Sequence, residues 1–278
     1  MTASAWYGLG VNLAATTATV LAVLLVTVAV ALPKGLHRLV DIAWGIAFTA
    51  VATVTCLLSA GRGDGTQRIL VTAATAVWGL RLAAHLAWRG RGGGEDPRYE
   101  RLLARAPGNR NLYALRTVYL PQAALIWLVS LPVQVAQYEK PPATNVTLLG
   151  LILWAAGLAF EAVGDFQLAR FTSDTANRGR ILDRGLWAVT RHPNYFGDFL
   201  VWWGLYLTAC GSWQSAALCL LSPMVMTYLL TRGSGKRLLE AHMAARPGYT
   251  EYVTLVSGFV PLPARRKTLS DAEEGRRP

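Results

Sequence analysis

The stretch Arg191-His-Pro-Asn-Tyr-Phe-Gly-Asp198 is where chemistry can be written from residue types alone. Pro193 has no N–H to lose and its fixed φ suits the first turn of a helix. Arg191 and His192 therefore stand just ahead of a helix start, with Asn194 and Tyr195 just inside it. Such a start offers unpaired N–H groups and the positive end of the backbone dipole, and with the Arg191 guanidinium it suits a phosphate or carboxylate where water meets membrane. The plainer alternative is a headgroup anchor, which Arg, Trp and Tyr also form. A second pair, Glu161 and Asp165, falls on one face of a helix. A charge at membrane depth costs upwards of ~2.5 kcal/mol even on the gentlest scale, so paired acids there face a polar cavity or cations. A salt bridge to Arg81 or Arg170 would serve one of them, but two acids need more than one partner.

Arg81 and His85 are also four residues apart. Snorkelling accounts for the arginine, whereas an imidazole one turn deeper suits an inward-facing cavity or a satisfied place in the bundle. The loop Trp88-Arg-Gly-Arg-Gly-Gly-Gly-Glu-Asp-Pro-Arg98-Tyr99 frees its backbone to aim N–H groups at an anion, or is simply solvated. No GxGxxG or GxxxxGK[ST] spacing occurs. Asp41 is expected to pair with Lys34 or Arg38. Arg178, Arg180 and Arg184 lead from Arg170 towards Arg191, and Lys236, Glu240, Tyr249 and Tyr252 follow the last apolar run.

The elements that position these residues are membrane helices. Of the 278 residues 53% are hydrophobic and 15% charged, with ten tryptophans. Seven apolar runs, about 11-32, 39-60, 68-88, 116-136, 146-169, 195-211 and 213-231, approach the ~20 residues that cross a bilayer. Only Gly211 and Ser212 separate the last two. Pro121 and Pro132 should kink the fourth. Apart from Arg62, Arg68, Arg81 and Lys140, the 27 Lys and Arg lie at 33-38, 89-116, 170-194 and 232-278. That bias puts the N-terminus outside and the C-terminus in the cytoplasm. The net charge of +11 then reflects topology and contact with anionic lipids rather than nucleic acid. Cys56, Cys210 and Cys219 have no metal or disulfide spacing, and no metal site is expected. The fold expected is all-α, a polytopic integral membrane bundle. Residues 1-263 would form one domain, with 1-140 as scaffold and substrate side and 141-263 as cofactor region, followed by a charged tail at 264-278.

Arg191-His-Pro-Asn-Tyr-Phe-Gly-Asp198, Glu161, Asp165, Gly-Tyr249-x-x-Tyr252 and Gly258-Phe-x-Pro261 resemble the bacterial DUF1295 family, itself similar to the C-terminal region of membrane steroid 5α-reductases. The resemblance runs over about 36 to 263 and includes Asp41, Trp44-Gly45, Trp78-Gly79-x-Arg81, Glu95-Asp96-x-Arg98-Tyr99 and Ser222-Pro223. It implies NADPH in a cytoplasm-facing cavity, contacted by Arg191, His192, Asn194 and Tyr195, with Asp165, Arg170, Asp198, Tyr249 and Tyr252 around it. Two departures stand out: Asp198 is where those reductases carry Glu, and this chain has no Gln-Glu dipeptide of the kind that polarises a steroid ketone. Arg191-His-Pro-x-Tyr195-x-Gly197 is also similar to isoprenylcysteine carboxyl methyltransferases.

The expected activity is an NADPH-dependent reduction of an activated double bond in an apolar, steroid- or isoprenoid-like lipid, in the bacterial cytoplasmic membrane. Glu161, His85 and Tyr99 are the candidate acids. An S-adenosylmethionine-dependent methyltransferase is one alternative. A non-catalytic membrane protein held by an internal ion-pair network is the other.

Overall fold

A computed structural model of the chain describes residues 3–141, 143–233 and 235–263. Every regular element among the described residues is helical. In chain order the first seven are α1 (Ala3–Lys34), α2 (Leu39–Leu58), α3 (Gly65–Arg89), α4 (Pro97–Leu103), α5 (Arg110–Ala114), α6 (Leu120–Val129) and α7 (Leu131–Ala136). They are followed by α8 (Thr144–Ser173), α9 (Pro193–Thr208), α10 (Trp213–Cys219), α11 (Leu221–Thr231), α12 (Lys236–Met243) and α13 (Tyr249–Leu255). Among the described residues six stretches are long and apolar enough to cross a membrane: Ser4–Lys34, Leu39–Leu58, Gly65–Arg89, Arg110–Ala136, Thr144–Ser173 and Trp213–Thr231. The protein is an all-α, multi-pass membrane protein. The run expected at 195-211 is α9, a helix of 16 residues that starts at Pro193.

The chain divides into two compact units, Met1–Leu151 with Gly204–Pro223, and Ile152–Trp203 with the chain from Met224 onward. The first break falls near 151, and 204–223 returns to the first unit. The charged tail expected at 264-278 lies outside the described residues.

In the first unit the Trp-Gly pairs explain themselves as packing. A methyl at Gly79 would lie 2.6 Å from the Gly45 carbonyl oxygen and 2.7 Å from Thr49 Oγ1, so α2 and α3 approach backbone to backbone. Beside that contact Phe48 meets Trp44 and Trp78 edge-on at 5.7 and 5.6 Å. Both prolines interrupt the fourth span as expected. A π-helical turn, Leu115–Tyr119, precedes Pro121, and Pro132 sits in the first turn of α7 just after the helix breaks at Ser130. Residues 209–212 separate α9 from α10, and Ser212 and Ser215 close a capping box at the start of α10.

Several polar side chains in this unit bond to one another. Gln134 accepts from Asn12 at 3.0 Å and Thr16 at 2.7 Å, and donates to Ser130 at 2.8 Å. Asp41 takes its partners from further along the chain than Lys34 or Arg38. Tyr99 donates to its Oδ1 at 2.5 Å and Arg98 to its Oδ2 at 3.1 Å. Arg38 instead uses its backbone N–H on Glu95 at 2.9 Å and its guanidinium on the Gly93 carbonyl at 2.8 Å.

Candidate functional site

The second unit is built on close packing between the later part of α8 and the start of α9. A methyl at Gly157 would lie 2.5 Å from the Gly197 carbonyl oxygen, and one at Gly197 would lie 2.9 Å from Glu161 Cβ. Glu161 and Asp165 are both buried on this seam, and Asn194 donates to Asp165 at 3.3 Å. The pair expected on one helix face is thus one turn apart at the base of α9, with Asn194 serving the outer acid.

The approach to α9 is fixed by the chain's last segment. Arg191 N–H donates to the Ser257 carbonyl at 2.9 Å, the Thr190 hydroxyl donates to Phe259 at 2.8 Å, and Leu262 N–H donates to Val189 at 2.9 Å. Tyr252 donates its hydroxyl to the Trp187 carbonyl at 2.6 Å, and Trp187 donates its indole N–H to Gly164 at 3.1 Å. The Tyr249-x-x-Tyr252 and Gly258-Phe-x-Pro261 stretches therefore hold the Arg191 junction in place by hydrogen bonds that their side chains and backbone supply. Burial pushes both tyrosine hydroxyls above their ordinary range, so both keep their protons; Tyr252 donates to Trp187, while Tyr249 accepts from Arg191.

Arg191 is held on two sides. Its Nη1 donates to the carbonyls of Val253 at 3.1 Å and Val256 at 2.6 Å, around the C-terminal end of α13, where a cation is favoured. Its Nε and Nη2 both point at Glu240 Oε1, at 2.9 and 2.8 Å. His192 Nε2 reaches the same oxygen at 3.2 Å, and its ring stacks on Tyr195 with centroids 5.4 Å apart. His192 is 2% exposed, and its Nδ1 is buried with no hydrogen-bond partner. Burial pulls the imidazole down to about 4; the hydrogen bond and charge of Glu240 oppose this, while Lys236 and Arg191 add to it. At neutral pH His192 is a neutral donor.

Beside this cluster lies a groove of about 770 Å³. Phe171, Ile181, Leu255 and Val256 give it apolar walls, Tyr252 an aromatic one, and Arg180, Arg184, Asp183 and Glu251 a mixed charged rim. Arg184 lies over the Phe171 ring at 5.9 Å. The volume is within the roughly 300–1,000 Å³ range of small-molecule sites.

Of the expected site residues, the structure gathers Glu161, Asp165, Arg191, His192, Asn194, Tyr195, Tyr249 and Tyr252 in the second unit. Asp198 lies one turn into α9, and Arg170 is exposed near the end of α8. Two of the candidate acids belong to the first unit. Tyr99 is buried with its hydroxyl on Asp41 and Gln122 Nε2 at 3.4 Å, and burial raises its pKa. His85 lies half-buried against Trp88, ring centroids 6.2 Å apart. Sequence reasoning gave Glu240 and Lys236 no role. Glu240 meets Arg191 across 49 residues, a separation no periodicity reports; its place as the sole acid of the basic helix α12 was the only signal.

A model of the family described as a protein of unknown function, DUF1295, matches residues 27–256. No curated protein matches, and neither does any solved structure.

Proposed function

We propose, on the premise that the chain belongs to the DUF1295 family, that it is a membrane-embedded, NADPH-dependent reductase of an activated double bond in an apolar, steroid- or isoprenoid-like lipid. The observation that carries this reading is the Arg191 fork. A guanidinium pinned at Nη1 presents Nε and Nη2 to a single oxygen, with a neutral imidazole donor beside them. That is the donor set of a phosphate or carboxylate oxygen. The groove fits the rest of a dinucleotide in kind: Arg180 and Arg184 suit further phosphates, and Tyr252 and Phe171 offer flat surfaces to aromatic rings. With the Lys and Arg bias read as topology, this unit's loops face the cytoplasm, where such a cofactor is available.

When bound, NADPH supplies a hydride. The chain's own residues have the remaining tasks. Arg191 and His192 orient an anionic group, and Asn194 fixes the Asp165 carboxylate. Glu161 lies in this unit and is the candidate group to hold a proton for the carbon or carbonyl beside the hydride acceptor; Tyr99 and His85, the other candidates, belong to the first unit. Tyr99 carries its proton on a hydroxyl already aligned by Asp41.

One observation favours a second reading, a methyltransferase using S-adenosylmethionine. Asp183 and Glu251 line the groove with Tyr252 and Phe171, a combination that suits a cationic sulfonium. Thermal unfolding of the detergent-solubilised protein separates the two. NADPH at 100 times its Kd should stabilise by about 2.7 kcal/mol. Arg191→Ala and Asn194→Ala should lose that protection. Protection by S-adenosylmethionine alone would overturn the reductase reading.

A further inference from the structure

The arrangement around Glu240 is unlike an ordinary ion pair. Three donors, Arg191 Nε, Arg191 Nη2 and His192 Nε2, converge on one carboxylate oxygen at 2.9, 2.8 and 3.2 Å. A fourth donor stands close by. A methyl at Gly258 would lie 2.5 Å from Lys236 Nζ and 3.0 Å from Arg191 Nη2, so both cations press against the same bare backbone position. Lys236 and Glu240 are also four residues apart on α12, one turn along the same face. Around one acid there are thus two full positive charges and a buried imidazole.

Arg191 and His192 are fixed more firmly than the acid. Arg191 is anchored through Val253 and Val256, its side chain 10% exposed, and His192 is sealed at 2%. The Glu240 side chain is 24% exposed and rides on a helix of eight residues. That helix has no side-chain N-cap, and Leu239 on it is 39% exposed. Its apolar hold is Met243, which packs against the Tyr249, Tyr252 and Val256 cluster. Isolated helices shorter than roughly 12–15 residues are marginal in water, so α12 depends on such contacts.

We propose that Arg191 and His192 form an anion-binding site for a phosphate or carboxylate oxygen of the ligand, and that Glu240 fills it as an internal substitute until ligand displaces it. Displacement frees α12 from its main polar contact, so the same event opens the segment over the site. The neutral state of His192 at physiological pH keeps its Nε2–H available to either oxygen. This rests on the reductase reading only for the identity of the ligand; the anion site and its latch stand on geometry.

The test uses the full chain in phosphatidylcholine nanodiscs, with inorganic pyrophosphate as probe. Hydrogen exchange of residues 236–243 should quicken at least threefold when pyrophosphate binds. Slower or unchanged exchange, as when a ligand simply packs against α12, would overturn the latch. Glu240→Gln should bind pyrophosphate at least fivefold more tightly, since the competitor has lost its charge. Weaker binding by a folded Glu240→Gln protein would make Glu240 part of the ligand's own contacts and sink the proposal. Should that variant fail to fold, the exchange experiment on the unaltered chain still decides. Opening on adding phosphatidylglycerol without pyrophosphate would assign the anion to lipid headgroups at the same site. NADPH and S-adenosylmethionine are then titrated separately. Opening by pyrophosphate with no response to NADPH would keep the latch and discard the reductase; NADPH binding without opening would do the reverse.

Discussion

Two acids, one in each unit, are held in opposite ways. Asp41 in the first unit divides its oxygens between donors, Tyr99 on Oδ1 and Arg98 on Oδ2, and Arg98 is shared with Asp96 at 3.0 Å. Glu240 in the second unit gathers three donors on one oxygen, with a lysine beside them and a histidine nitrogen left buried without a partner. The first arrangement balances charge and distributes hydrogen bonds, which is how a scaffold is made rigid. The second carries more positive charge than its acid answers, which is how a site is kept ready for an anion. The same two ingredients, carboxylate and guanidinium, serve structure in one unit and, on the proposal made above, binding in the other, because the ratio of donors to acceptors differs.

The largest effect that tests this contrast belongs to the scaffold. Replacing Gly79 by Leu puts side-chain atoms where the Gly45 carbonyl and Thr49 hydroxyl stand, and α2 and α3 must separate. Overpacking of that kind should cost about 3 kcal/mol or more, read as loss of folded protein after detergent extraction. A Gly79→Leu protein unfolding at the wild-type temperature would show that the Trp-Gly pairs are not the packing contact.

Next comes pH, and it addresses the second unit. His192 has a folded pKa lowered from 6.5 to about 4, so the folded state resists the proton that the unfolded chain accepts. Its contribution is complete above pH 6.5 and is lost as pH falls from there towards 4, with a slope of up to about 1.4 kcal/mol per pH unit. His192→Gln should flatten that part of the stability profile. An unchanged slope in His192→Gln would place the titrating group elsewhere.

Arg191→Lys should leave insertion and folding nearly intact while weakening NADPH binding at least tenfold, about 1.4 kcal/mol. Lysine keeps the charge but cannot donate to the α13 carbonyls and to an oxyanion at once. Asp165→Asn should weaken binding similarly through Asn194, whose amide would then face another amide. Wild-type affinity in Arg191→Lys would reduce the junction to a headgroup anchor.

Much of this architecture is legible in the chain. Hydropathy finds the long helices, Pro193 marks the start of α9, and Pro121 and Pro132 mark the interruptions, because each signal acts within a few residues. The short length of α9 is less legible. Its apolar run continues to Cys210, but the helix ends at Thr208. Partner choice is hardest. Asp41 has Lys34 and Arg38 nearby in sequence and takes Arg98, 57 residues on, because α4 brings Arg98 and Tyr99 to it together. Glu240 escapes for the same reason, since its three donors come from a loop separated from α12 by three helices. Residue types at the junction suggest an anion site; that Glu240 sits against Arg191 and His192 is visible only in the tertiary structure.

The smallest predicted effect bears on the boundary between scaffold and chemistry. Tyr99→Phe removes one donor from Asp41 and leaves Arg98 in place, so its stability cost should be about 1 kcal/mol. Since Tyr99 belongs to the first unit and the nucleotide contacts proposed here belong to the second, NADPH affinity should stay within twofold of wild type. Turnover is where the two roles of this tyrosine separate. If its hydroxyl only stabilises the bundle, kcat and KM for a reducible enone change little. If it delivers the proton, kcat falls by the roughly 10²–10⁴-fold typical of a lost general acid while NADPH still binds. Asp41→Asn sharpens the outcome, because a relay through Tyr99 requires the carboxylate that orients the hydroxyl. A large loss of kcat in Tyr99→Phe with none in Asp41→Asn would make Tyr99 an acid that works without its partner, and a loss in neither would return the pair to the scaffold.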